Sequence, residues 1–192
     1  MIPDVVIRRL ISDGSIHLVP VSDSNLQPVS YDVHIGKNAL IPSIDEGSAP
    51  YLDLAVSSPE MIQISIPTRD DPEILTIDPQ EFMLVETKEY LELDYDVAAE
   101  LDGKSTLGRA GLLIHATAGL IDPGWRGHIT CELYNLSRRR IRLWQGMPIG
   151  QFVFHRLVVP VDRPYGHNGL NSHYQFAKSV EGSKPLGLEN AR

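Results

Sequence analysis

The sequence predicts an all-β fold, a distorted barrel or two-sheet roll that carries one short N-terminal helix. Two observations predict it. Short apolar segments, most of them alternating with period 2, recur from one end of the chain to the other. Fifteen glycines and fourteen prolines are spread between them and can turn the chain many times.

The helix comes first. Pro3 to Ser12 sets Val5, Val6, Ile7, Leu10 and Ile11 close to an i, i+3/i+4 stripe, and Asp13-Gly14 supplies a stop. The predicted strands follow as SIHLVP, SYDVHIG, MIQISIP, FMLVETKEYLEL, VAAEL, HITCELYN, IRLW and IGQFVFHRL. Ser43 to Pro50 is expected to be a mobile loop. Residues 1–178 are read as a single domain, and Ser179 to Arg192, with little to bury, as a tail or arm.

Composition excludes several classes. Of the 192 residues, 42% are hydrophobic and 22% charged, which is ordinary for a folded soluble domain. A net charge of −8 argues against coating nucleic acid or an anionic membrane. The single cysteine, Cys131, permits neither an internal disulfide nor a cysteine-rich metal site. No signal-peptide core and no stretch near the roughly 18 apolar residues of a membrane span is present, so a cytoplasmic location is expected.

Two stretches carry chemistry. In LDGKSTLGRAG, Leu101 to Gly111, the letters GKST suggest a P-loop, but the first glycine of that motif should stand at 98, where the chain has Ala98. GRAG is also a poor helix start. The turn still offers Gly103 for close backbone approach, Lys104 for charge, hydroxyls from Ser105 and Thr106, and the planar donor fork of Arg109. An ordinary polar turn fits the same residues.

In HITCELYN, period 2 sends Ile129, Cys131 and Leu133 to one face and His128, Thr130, Glu132 and Tyr134 to the other. Glu132 is thus a mid-strand carboxylate in apolar surroundings, which calls for a partner or a chemical role. Taken alone, the residues favour a solvent-facing glutamate on an edge strand.

Taken together, GKSTLGRAGLLIHATAGLIDPGWRGHITCELYN and the later QGMPIGQFVF resemble the dCTP deaminase family of the dUTPase-like superfamily. LQPVSYDVHIG, Leu26 to Gly36, is similar to its N-terminal motif, and PYGHNGLNSHYQ, Pro164 to Gln175, to its C-terminal phosphate-closing segment. The resemblance covers Val5 to Lys178 with the motifs in order. It implies a dUTPase-like distorted β-barrel, a homotrimer with active sites at subunit interfaces, and zinc-independent hydrolysis of dCTP to dUTP and ammonia. The residues agree on zinc: a zinc deaminase needs His-x-Glu and Pro-Cys-x-x-Cys, and none of the seven histidines begins a His-x-Glu.

The resemblance also implies roles. Glu132 matches the catalytic general acid/base, Ser105 and the Ala118 carbonyl the positions that hold the attacking water, and Arg109 the arginine that orients Glu132. Lys104, Ser105, Thr106 and Arg109 would contact phosphates, and Asp122 the deoxyribose 3′-hydroxyl. Tyr165, His173, Gln175 and Lys178 would serve substrate from the C-terminal segment. Mg²⁺ would ride on the triphosphate oxygens, with no protein ligand. His173 stands where the family commonly has lysine, and Ala177 where it often has glutamine. Lys178 is the available compensation. Ser137 to Leu143, SRRRIRL, reads as a solvated hairpin.

TAGLID, Thr117 to Asp122, is more similar to the bifunctional members that carry dUTP on to dUMP and pyrophosphate, with Asp122 the candidate to orient the water that attacks phosphorus. His115 to Ala118 resembles the segment through which dTTP inhibits the family. Two alternatives compete with this reading: a dUTP pyrophosphatase without deaminase activity, and a non-catalytic nucleotide-binding regulatory trimer.

Overall fold

The computed structural model describes residues 1–43 and 51–186. Its elements run α1 (Asp4–Ser12), β1 (Ile16–Val19), β2 (Tyr31–Pro42), β3 (Met61–Ser65), β4 (Leu75–Ile77), β5 (Phe82–Leu93), β6 (Val97–Gly103), α2 (Ser105–Ala110), β7 (Leu112–Leu113), β8 (Leu120–Ile121), β9 (Arg126–Asn135), β10 (Ile141–Leu143) and β11 (Pro148–Arg156). The expected all-β architecture is present.

Among the described residues, nine strands form one sheet, ordered β7-β9-β5-β2-β11-β6-β8, with β1 also on β5 and β3 also on β2. The sheet curls into a half-barrel, and β10 and β4 pair separately as a two-stranded ribbon. Named pairings are antiparallel throughout. Alternation decides the register. On β9, residues 127, 129, 131, 133 and 135 are buried while the residues between them are half-buried. The core gathers Val33 and Ile35 of β2, Val85 and Leu91 of β5, Cys131 and Leu133 of β9, and Phe152 and Phe154 of β11. The last two rings meet edge to face, 6.3 Å between centroids. Ile7 and Leu10 of α1 seal one end, both fully buried.

Several elements differ from the sequence expectations. α2 is a helix where only a turn is expected. A six-residue helix is too short to show a stripe, and Gly111, at φ +88°, ends it in the left-handed conformation. β4, β7 and β8 are two or three residues long and carry no periodic signal. Residues 179–182, grouped with the tail by sequence, pack on the barrel instead. Val180 is buried with Leu40 and Leu84, because a distant strand pair offers it an apolar seat that no local pattern shows. Residues 44–50 of the expected loop and 187–192 of the expected tail lie outside the described residues. The basic hairpin is partly tied down: Arg140 pairs with Asp78 at 2.8 Å, and Arg142 donates to the Arg69 carbonyl.

Cys131 is fully buried, and burial together with the negative charges of Glu132 and Glu89 pushes its thiol up from 9.0 to about 12. The native protein is therefore expected to resist a chromogenic disulfide reagent at pH 8, and the urea-unfolded chain to release one equivalent. Above pH 9 the unfolded thiol ionises and the folded one does not, so alkali between 9.0 and about 12 favours unfolding. Rapid titration of the native thiol would contradict this placement.

Candidate active site

β9 carries the central carboxylate. Glu132 lies opposite Leu84 of β5, and its backbone N–H donates to the Ile114 carbonyl at 3.0 Å. β9 is therefore paired on both sides here, and Glu132 is half-buried. This corrects the edge-strand reading: the 112–114 segment covers the flank that the sequence leaves open. The Ala116 N–H donates to Glu132 Oε2 at 2.8 Å. Among the described residues, Oε1 has no hydrogen-bond partner.

Glu132 faces a cleft of about 500 Å³. Ala118, Leu120 and Asp122 line it from the β8 side, Trp125, His128 and Thr130 from the β9 side, and Tyr165, Tyr174 and Glu181–Ser183 from the C-terminal segment. This apolar-walled space with a few polar groups is the usual form of a small-molecule site.

The DPGW turn sets the floor. Gly124 sits at φ +86°, and a Cβ there would stand 2.6 Å from Pro164 Cβ, so only glycine lets the two segments meet. Tyr165 N–H donates to the Pro123 carbonyl, and its ring lies 5.2 Å from that of Trp125. Burial raises the pKa of Tyr165, so the phenol is neutral at physiological pH and accepts the Tyr174 N–H. Asp122 is exposed at the mouth.

Gln175 turns inward. Its Oε1 accepts from Arg126 N–H, and its Nε2 donates to the Gly124 and Tyr165 carbonyls, so the amide clamps the C-terminal segment to the floor. Ala177 forms a parallel bridge with Gly127, and a Cβ on Gly127 would approach Ala177 N to 2.8 Å. Position 127 therefore has no room for a side chain. Phe176 N–H donates to Arg126 O, and His128 N–H to Ala177 O. His173 is half-buried, and Lys178 is exposed.

The other predicted residues stand apart from this cleft. Lys104 precedes α2, and its Nζ lies 2.7 Å from Asp32 Oδ1 on β2. Ser105, Thr106 and Arg109 are exposed on α2. None of the four lines the cleft, and among the described residues Arg109 makes no ion pair with Glu132. One chain thus unites Glu132, Ala118, Asp122 and Tyr165, and separately presents Lys104, Ser105, Thr106 and Arg109.

Sequence reasoning missed Asp32, although it shares the half-buried face of β2 with His34, a face that points away from the core. His34 pairs with the buried Glu89 at 2.8 Å. Trp125 and Tyr174 were also missed as cleft residues. Their aromatic character beside the turn and the C-terminal motif was the available signal.

A family model described as dCTP deaminase-like matches residues 1–157. The chain belongs to the dCTP deaminase-like family. Within that family, "dCTP deaminase, dUMP-forming" of Streptomyces coelicolor is 39% identical over 184 residues, 96% of this chain and 94% of the relative. The protein of the same name from Clavibacter michiganensis is 41% identical over 184 residues, 96% of this chain and 90% of its own. The solved 2′-deoxycytidine 5′-triphosphate deaminase from Agrobacterium tumefaciens superposes with a TM-score of 0.61 at 17% identity, covering 81% of this chain and 47% of that one. At that identity the likeness speaks for the fold alone.

Proposed function

We propose that this member of the dCTP deaminase-like family converts dCTP and water to dUTP and ammonia, then hydrolyses dUTP to dUMP and pyrophosphate. The observation that carries the reading is the carboxylate of Glu132, held at Oε2 by the Ala116 amide on a side chain that lines an apolar-walled cleft. The relatives named as dUMP-forming dCTP deaminases support both steps.

In the first step Glu132 takes a proton from water as its oxygen adds to C4 of the cytosine. The carboxyl passes that proton to N3, then takes the second proton from the new C4 hydroxyl and gives it to the amine. The C4–N bond breaks, ammonia departs and Glu132 is left as the carboxylate it began as. The Ala118 carbonyl and Ser105 hydroxyl would hold that water. Asp122 at the mouth would meet the deoxyribose 3′-hydroxyl and, in the second step, orient water toward phosphorus. Lys104, Ser105, Thr106 and Arg109 would bind phosphate oxygens, with Tyr165, His173 and Lys178 closing from the C-terminal segment. Gln175 would act on substrate only through the backbone that it clamps.

The separation of α2 from the cleft supports a homotrimer in which α2 of one copy completes the cleft of the next. Among the described residues, no three His, Cys, Asp or Glu side chains gather as a metal cage. The donor set therefore suits Mg²⁺ carried by triphosphate oxygens and water, where it would neutralise phosphate charge. No described helix is long and apolar enough to cross a membrane.

Product analysis with dCTP and Mg²⁺ tests the reading. Chromatography is expected to show dUMP and pyrophosphate, with one ammonia released per dCTP consumed, and added dTTP is expected to slow the reaction. Ammonia with dUTP as the end product would sink the second step. Hydrolysis of dUTP with no ammonia from dCTP would favour a plain dUTP pyrophosphatase.

A further inference from the structure

Glu86 of β5 is buried, with 6% of its surface exposed, and among the described residues it forms no ion pair. Its carboxylate is compensated by hydrogen bonds alone. Oε1 accepts from Lys37 N–H at 2.9 Å, Asn38 N–H at 3.0 Å and Asn38 Nδ2 at 3.0 Å. Oε2 accepts from Ser179 Oγ at 2.6 Å and Val180 N–H at 2.9 Å.

The two oxygens serve different segments. The β2–β5 register shifts between Ile35 and Ala39, so the amides of 37 and 38 leave the ladder and turn to Oε1. Gly36 makes the space: a Cβ there would stand 2.4 Å from Glu86 Cγ. Oε2 holds the start of the 179–183 stretch, whose last three residues line the cleft. Glu86 also faces Thr130 across β5–β9, and Thr130 Oγ1 accepts Glu181 N–H.

We propose that Glu86 is a positioning residue, a latch that ties the C-terminal segment to the β2 bulge and so holds Tyr174 and Glu181–Ser183 over the nucleotide cleft. It touches no reacting atom. The proposal rests on the cleft's being the nucleotide site, but the latch itself can be tested without nucleotide.

Glu86→Gln keeps the shape and replaces one acceptor oxygen with a donor. In the full-length protein, trypsin cleavage after the exposed Lys178, followed by mass spectrometry, is expected to accelerate about tenfold. The KM for dCTP is expected to rise about tenfold with kcat within about twofold, because a wall that binds ground state and transition state alike acts on KM. Ser179→Ala, which removes one donor, should move both readouts the same way by less. Wild-type cleavage and KM in Glu86→Gln would overturn the latch. So would a fall in kcat at constant KM with cleavage raised at every site, the mark of a residue that only holds the fold. If Glu86→Gln does not fold, unchanged cleavage in Ser179→Ala overturns the proposal and faster cleavage supports it. If the wild type releases no ammonia from dCTP, the deaminase reading fails, and the cleavage readout still decides the latch.

Discussion

Glu132→Gln is expected to lower ammonia release from dCTP by about 10²–10⁴-fold, the usual range for a lost general acid/base. The substitution is well suited to the geometry. A glutamine Oε1 can still accept the Ala116 N–H that Glu132 Oε2 accepts now at 2.8 Å, so the side chain keeps its place on β9. Only the capacity to take and return a proton is removed. Nucleotide binding, measured by calorimetry, is therefore expected to stay within about tenfold of the wild type. Cleavage of supplied dUTP should survive, because attack at phosphorus does not need a base at C4. A glutamine variant that deaminates at the wild-type rate would remove Glu132 from the mechanism.

The second large effect concerns which copy supplies which residue. Arg109→Ala and Glu132→Gln are each expected to be inactive as deaminases. If α2 of one copy completes the cleft of its neighbour, mixed trimers contain sites built from an intact Arg109 and an intact Glu132. Random equal mixing makes about one site in four of that kind, so unfolding and refolding the two variants together should restore about a quarter of wild-type activity. Sites built within one chain would give no recovery. The proposal of a shared site starts from one placement: Glu132 lines the cleft, whereas Lys104, Ser105, Thr106 and Arg109 do not.

Much of this was legible in the sequence. The strand pattern, the N-terminal helix and the face of Glu132 follow from periods of 2 and 3.6, which are local properties of the backbone. The same period 2 buries Cys131 and leaves Glu132 toward the cleft. Where local signal was absent, the reading fell short. α2 is shorter than two turns. For Gln175 the motif points to substrate, and only the structure adds that its amide engages the backbone of Gly124 and Arg126, far from it in sequence, and of Tyr165 within its own segment.

By itself, then, the sequence determined the all-β class, the membership signalled by its motifs, and which side chains can do acid–base and phosphate chemistry. Residue type and spacing are enough for that. Only the tertiary structure decided which of those side chains meet. It put Lys104 against Asp32, closed the flank of β9 with Ile114, and joined Glu86 to Ser179. Each of these is a contact between distant segments. Its geometry depends on how a twisted, bulged sheet brings them together, and no window of neighbouring residues records that.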